Sequence, residues 1–203
     1  MKRILAAALV ALPFAGFAAT DDNLLTNGSF ESNLLRNGSW SNFTSIEGWT
    51  VGSKGVEVRN NVSGSALDGH NFVELDTTGN SSISQSFATV AGYTYELSFS
   101  YANRSDNRGA VSNGIAWSVG SLSGTVGQNT TTSWTTYTTS FIGTGNPMTL
   151  TFAAIGRADS YGTSLDNVSL SVLSTVPEPQ GYALMLAGLG TVGLLSRRRR
   201  RNV

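Results

Sequence analysis

The chain has 203 residues, of which 40% are hydrophobic, 13% charged and none cysteine. That suits one ordinary domain with targeting ends, and it excludes a disulfide scaffold, a thiol enzyme and a cysteine-held zinc site. The zero net charge hides a partition. Between Thr20 and Val176 there are six basic and twelve acidic residues, a net charge of −6, and so acidic a core argues against a nucleic-acid partner, which needs cations against phosphate.

Met1-Lys2-Arg3 is a basic start, Ile4 to Phe17 an apolar run broken by Pro13 and Gly16, and Ala18 and Ala19 are small. This order predicts a secretory signal peptide over residues 1–19, removed by signal peptidase. Residues 20–173 are rich in Ser, Thr, Asn and Gly, with period-two alternation and no sustained helical period. In chain order the strand candidates are Trp49–Val51, Val56–Arg59, Phe72–Leu75, Ile83–Phe87, Tyr93–Tyr101, Ile115–Val119, Ser133–Ile142, Met148–Ala154 and Leu165–Leu173. About nine or ten strands separated by Gly and Asn clusters predict an all-β domain, a β-sandwich or jelly roll. Asn23–Phe30 recurs ten residues later as Asn33–Trp40, a local duplication too short for a solenoid.

Residues 174–203 form a linker and a terminal signal. Pro177-Glu178-Pro179 precedes the uncharged run Gly181 to Leu195, then Ser196 and the cluster Arg197, Arg198, Arg199, Arg200 and Arg201. As a helix the run spans roughly 22 Å, short of the ~30 Å hydrocarbon core, and Pro179, Gln180 and Ser196 extend it to a marginal transmembrane helix. The arginines hold the C-terminus in the cytoplasm, and the domain then faces the periplasm.

Pro-Glu-Pro, a short apolar helix and an arginine cluster, in that order, resemble the bacterial PEP-CTERM sorting signal. The resemblance implies a Gram-negative host that makes exopolysaccharide. It also implies an exosortase, a membrane enzyme that cuts at or near the motif and releases the domain from its transient anchor in the inner membrane. The destination it implies is the cell surface or the extracellular, biofilm matrix.

The domain resembles a group of secreted bacterial and plant domains with a galactose-binding-like β-sandwich, similar in fold to carbohydrate-binding modules. The segments that carry the likeness are Asn23–Glu31 as a first strand, Ser45–Val51, Asp68–Asp76, Ile83–Phe87, Ala91–Tyr95, and Leu165–Leu170 as the closing strand. Glu47 stands where the group more often has Pro, and Asn167 where it often has a second carboxylate. The resemblance further implies a structural Ca2+ joining the two ends of the domain, with Glu31 and Asp166 as ligands among hard oxygens.

A sugar site needs aromatic faces and polar hydrogen-bonding groups. Trp40, Phe43 and Tyr161 lie in expected loops, and Arg104, Asp106, Asn107 and Arg108 form a polar loop, so these are the candidate ligand-binding residues. Of Trp49, Trp117 and Trp134, two are expected in the core. His70 is the sole histidine and reads as a turn residue. Glu74 and Asp76 alternate onto one side of a strand, where paired carboxylates would suit a glycan hydrolase. No nucleophile elbow frames a serine that could complete a Ser-His-Asp triad with His70. The sequence thus points to a non-enzymatic exported domain contacting polysaccharide. A structural or adhesive matrix protein without a small ligand is the alternative, and a glycan hydrolase ranks third.

Overall fold

The computed structural model describes residues 23–106 and 108–173. The expected signal peptide, Asn107 and the C-terminal sorting segment lie outside the described residues. The strands are β1 (Ser39–Phe43), β2 (Thr50–Val51), β3 (Val56–Asn60), β4 (Phe72–Glu74), β5 (Ser82–Phe87), β6 (Thr94–Asn103), β7 (Ile115–Val119), β8 (Leu122–Val126), β9 (Thr135–Ile142), β10 (Met148–Ala154) and β11 (Thr163–Leu173). They build two sheets, one of six strands ordered β1-β3-β4-β11-β6-β9 and one of five ordered β2-β5-β10-β7-β8. All pairings are antiparallel. The fold is the expected all-β sandwich.

Alternation explains the layering. Along β6, Tyr95, Leu97 and Phe99 are buried between the sheets while Glu96 and Ser98 stay partly exposed. Phe99 meets Phe152 of β10 edge-on at 4.8 Å between ring centroids and Trp117 of β7 at 6.1 Å. Each such side chain, fully buried, contributes roughly 1.5–3 kcal/mol. Two of the three tryptophans in strand-like runs are core residues, the expected number; they are Trp49 and Trp117, and Trp134 is only partly buried. Strands β7 and β10 have the predicted bounds. β1 and β8 were not foreseen. Both are edge strands rich in hydroxyls or glycine, with little apolar alternation to announce them.

Asn23–Glu31 is not a strand, contrary to expectation. Asn27 (φ 55°) and Phe30 (φ 61°) take left-handed conformations that no extended run accommodates. The segment instead lies along β11. The Leu24 amide donates to Leu170 O at 2.8 Å, and the Leu170 amide donates to the Asn23 side chain at 2.9 Å, in place of a carbonyl. The Val168 amide donates to Gly28 O at 2.9 Å from within the bulge in β11 between Asp166 and Ser169. A Cβ on Gly28 would fall 2.0 Å from Val168 O, so only glycine permits this approach. The two copies of the duplicated octapeptide do different work. Phe30 is fully buried, whereas its counterpart Trp40 is 54% exposed.

Candidate functional site

Strand register puts an unusual set of side chains on the outer face of the six-stranded sheet. Arg59 lies opposite Trp40 of β1 and Phe72 of β4, and Glu57 lies opposite Glu74, which in turn lies opposite Ser164 of β11. Opposed residues of an antiparallel ladder share a face. Two acids directly opposite repel, and Arg59 offsets this. It pairs with Glu57 and places Nη2 2.6 Å from Glu74 Oε2. Arg59 and Glu74 are 1% and 0% exposed although they point away from the core, because loops cover them.

The covering loops are tied down by the same charges. Asp76 Oδ2 accepts from the amides of Asp159, Ser160 and Tyr161 at 3.0, 2.8 and 3.3 Å, and Glu74 Oε1 accepts from Gly162 at 2.8 Å. Arg104 binds Asp106 through two nitrogens at 2.7 and 2.9 Å. It also reaches Ser160 O at 2.9 Å, Ser63 Oγ at 3.2 Å and Glu74 Oε2 at 3.5 Å. Its hydrogen bond to Asp106 holds that carboxyl below the ordinary range. Burial pushes Glu74 up to about 8, against the opposing pull of Arg59, Gly162 and Arg104. Glu74 and Asp76 therefore serve as anchors for a loop. Glu74 has no exposed surface from which to act on a glycan.

Beside this network is a cavity of about 190 Å3 lined by Phe72, Trp134, Asn103 and the serines at 63, 65 and 133, among others. Against roughly 30 Å3 for each liquid water, it has room for one sugar ring. Trp134 meets Phe72 edge-on at 5.9 Å, and its Nε1 donates to Ser65 O at 2.9 Å, so its orientation is fixed. The wall carries hydroxyl and amide groups and no charged residue.

The expected binding residues fall into separate groups. Arg104, Asp106 and Tyr161 come together, with the guanidinium carbons of Arg104 and Arg108 4.5 and 4.3 Å from the Tyr161 ring centroid. Arg108 also donates to the Tyr161 hydroxyl at 2.9 Å. Trp40 is exposed but sits on edge strand β1. It lies two strand spacings, about 10 Å, from Phe72. Phe43 is not a loop residue. It ends β1 and packs on the core, because its position in the alternation turns it inward. Asn107 lies outside the described residues. Sequence reasoning missed Phe72 and Trp134 as cavity residues. The available signal was a Trp set among hydroxyl residues, in Thr-Thr-Ser-Trp-Thr-Thr, instead of in an apolar run.

Glu31 and Asp166 converge on one loop from opposite ends of the domain. Glu31 Oε1 accepts from the amides of His70 and Asn71 at 2.8 and 2.6 Å. Asp166 Oδ2 accepts from Leu67 and Asp68 at 2.7 and 3.0 Å, and its Oδ1 from Asn167 at 2.6 Å. Burial raises the Asp166 carboxyl to about 6. Beside Glu31, Asn71 is buried, and its amide nitrogen donates to the carbonyls of Phe30 and Asn33 at 3.1 and 2.8 Å. Its Oδ1 has no hydrogen-bond partner among the described residues. An orphaned oxygen near a carboxylate fits a hard cation. The oxygens of Asp166 are both engaged by amides and fit it less well.

Over residues 23–171 the sequence matches the family described as protein of unknown function (DUF642), and over residues 175–201 the PEP-CTERM protein-sorting motif. No curated protein matches it. Among solved structures it is similar to TmCBM61 in complex with beta-1,4-galactotriose, with 23% identity and a TM-score of 0.52, covering 75% of this chain and 99% of that one. It is also similar to a family 16 carbohydrate binding module-2, with 16% identity and a TM-score of 0.50, covering 73% and 99%. At such identities the likeness establishes the sandwich fold.

Proposed function

The chain belongs to the DUF642 family and carries a PEP-CTERM sorting motif, and from that premise we propose that it is an exported, non-catalytic module that binds neutral polysaccharide through the Phe72–Trp134 cavity. The observation that carries this reading is Trp134, an aromatic held in a fixed orientation beside uncharged hydroxyl and amide groups. Stacking and hydroxyl recognition are what a neutral sugar ring offers a protein. Support from the fold comes through TmCBM61, a module of the same architecture whose structure holds a galactose trisaccharide. Tyr161 and Arg108 at the neighbouring loop extend the surface along which a chain would lie. Exosortase processing of the Pro177-Glu178-Pro179 motif would deliver the domain to the cell surface or matrix.

The test is a glycan array with the mature secreted protein and with Trp134→Ala. Binding to neutral glycans is expected, weakened about tenfold in the variant, the factor that roughly 1.4 kcal/mol of aromatic contact represents. A blank array, or equal binding by both proteins, would overturn the reading. A second reading, a structural matrix protein without a small ligand, is favoured by the Ser/Thr outer face of the sheets, where Ser98, Ser169, Thr138 and Ser140 share one exposed surface.

Calcium at Glu31 belongs to the proposal as well, with Asn71 Oδ1 as a neutral oxygen ligand and Asp166 holding the adjoining loop. The ion would staple the N-terminal segment to the Leu67–Asn71 loop.

A further inference from the structure

Charge is distributed very unevenly over this sandwich. No Asp, Glu, Lys, Arg or His occurs between Asp76 and Glu96 or between Arg108 and Arg157. Strands β5, β7, β8, β9 and β10 fall wholly inside those two stretches. The charged residues of the described domain, ten acidic and six basic, lie elsewhere and leave a net charge of −4.

The uncharged part includes two strand edges on one flank. β9 ends the six-stranded sheet and β8 ends the five-stranded one. They share a flank because Tyr137 of β9 packs on Trp117 of β7, the neighbour of β8, at 5.1 Å. An edge strand offers unpaired N–H and C=O groups to any extended chain, and proteins ordinarily blunt it with Lys, Pro, a bulge or brevity. β9 has none of these. Its sequence is TTYTTSFI, eight residues in unbroken register with β6 from Thr135 to Ile142.

We infer that β9 is a homotypic interface, pairing antiparallel with β9 of a second copy to join two six-stranded sheets into one. Two observations favour a second copy over another occupant. Two domains of net charge −4 repel on most approaches, and this flank is where they meet without opposing like charges. The strand is also self-complementary under two-fold symmetry. Opposed residues must share a face, and Thr138 set against its own copy satisfies that. Thr136 then faces Ser140 and Tyr137 faces Thr139 of the second copy. The outer row becomes a continuous ladder of Thr and Ser, pairs that favour cross-strand contact.

The test is the association state of the mature secreted protein by sedimentation over a concentration series. It uses the wild type, Thr138→Lys, and Ser86→Lys as a control on the exposed face of the other sheet. The wild type and the control should dimerise alike, and Thr138→Lys should weaken the dimer at least about tenfold. A wild type that is monomeric throughout, or a Thr138→Lys protein that dimerises as well as the wild type, would overturn the inference. Should that variant fail to fold, hydrogen exchange decides. The amides of β9 that point away from β6 must slow as concentration rises, and unchanged exchange counts against the interface.

Discussion

Arg59 is a charged side chain on the outer face of a sheet that loops have buried, with 1% of its surface exposed and the carboxyl groups of Glu57 and Glu74 on either side. Removing one member of a buried ionic group leaves the others uncompensated, so Arg59→Ala should destabilise the domain by roughly 3–5 kcal/mol in chemical denaturation. A loss below about 1 kcal/mol would show that the network contributes little. Glu74 carries a sign as well as a size. Its carboxyl is raised from 4.5 to about 8, so the folded chain holds that proton more tightly than the unfolded chain does. The contribution of this group to stability is then complete below pH 4.5 and is lost as pH rises toward 8, on the order of a few kcal/mol. Glu74→Gln, neutral at every pH, should flatten that slope. A slope identical in both proteins would place the titration elsewhere. Little of this was legible in the sequence. Alternation puts Glu74 on the outer face, which reads as solvent, and nothing local reveals that Arg104 and the loop of residues 157–162 fold over it.

At the scale of elements, the strands that span the core announced themselves and the irregular pieces did not. β7 and β10 alternate large apolar residues with Ser, Thr or Ala, and their bounds follow directly. The Asn23–Glu31 segment is expected as a strand from resemblance alone, yet its hydrogen bonds run through the Asn23 side chain to a bulged partner, a long-range arrangement that local pattern does not encode. Gly28→Ala tests that docking. The added methyl collides with the Val168 carbonyl and should cost on the order of 2 kcal/mol. A neutral result would mean that the segment is not held against β11. Glu31→Ala tests the ion at the same end of the domain. The variant should lower the melting temperature with calcium present and shift it much less in chelator. Equal shifts in both would assign Glu31 to its hydrogen bonds with His70 and Asn71 alone.

For the whole molecule, composition and order of signals were the most readable level. The terminal arginines and the Pro-Glu-Pro motif are short, contiguous and interpretable without a fold, whereas the cavity is assembled from residues as distant as Ser63 and Ser164. Mass spectrometry of the secreted protein should find a chain that begins near Thr20 and lacks Arg197–Arg201. Recovery of the arginine run in the released form would rule out processing at the motif. The charge partition was also readable, but its spatial meaning was not. Two uncharged stretches separated in sequence become one side of the sandwich only once the strands are ordered.

Asp76 gathers three consecutive amides of the loop beside the cavity, and Arg104 fastens that loop to its neighbour. For the proposed sugar site the consequence is kinetic. Walls already in place have no ordering to complete when a ligand arrives, so neither capture nor release waits on a closing step. A domain of this kind would exchange rapidly between neighbouring sites on a repetitive polymer. Its hold on a matrix would come from many short-lived contacts, and the mesh around it would be free to flow and rejoin.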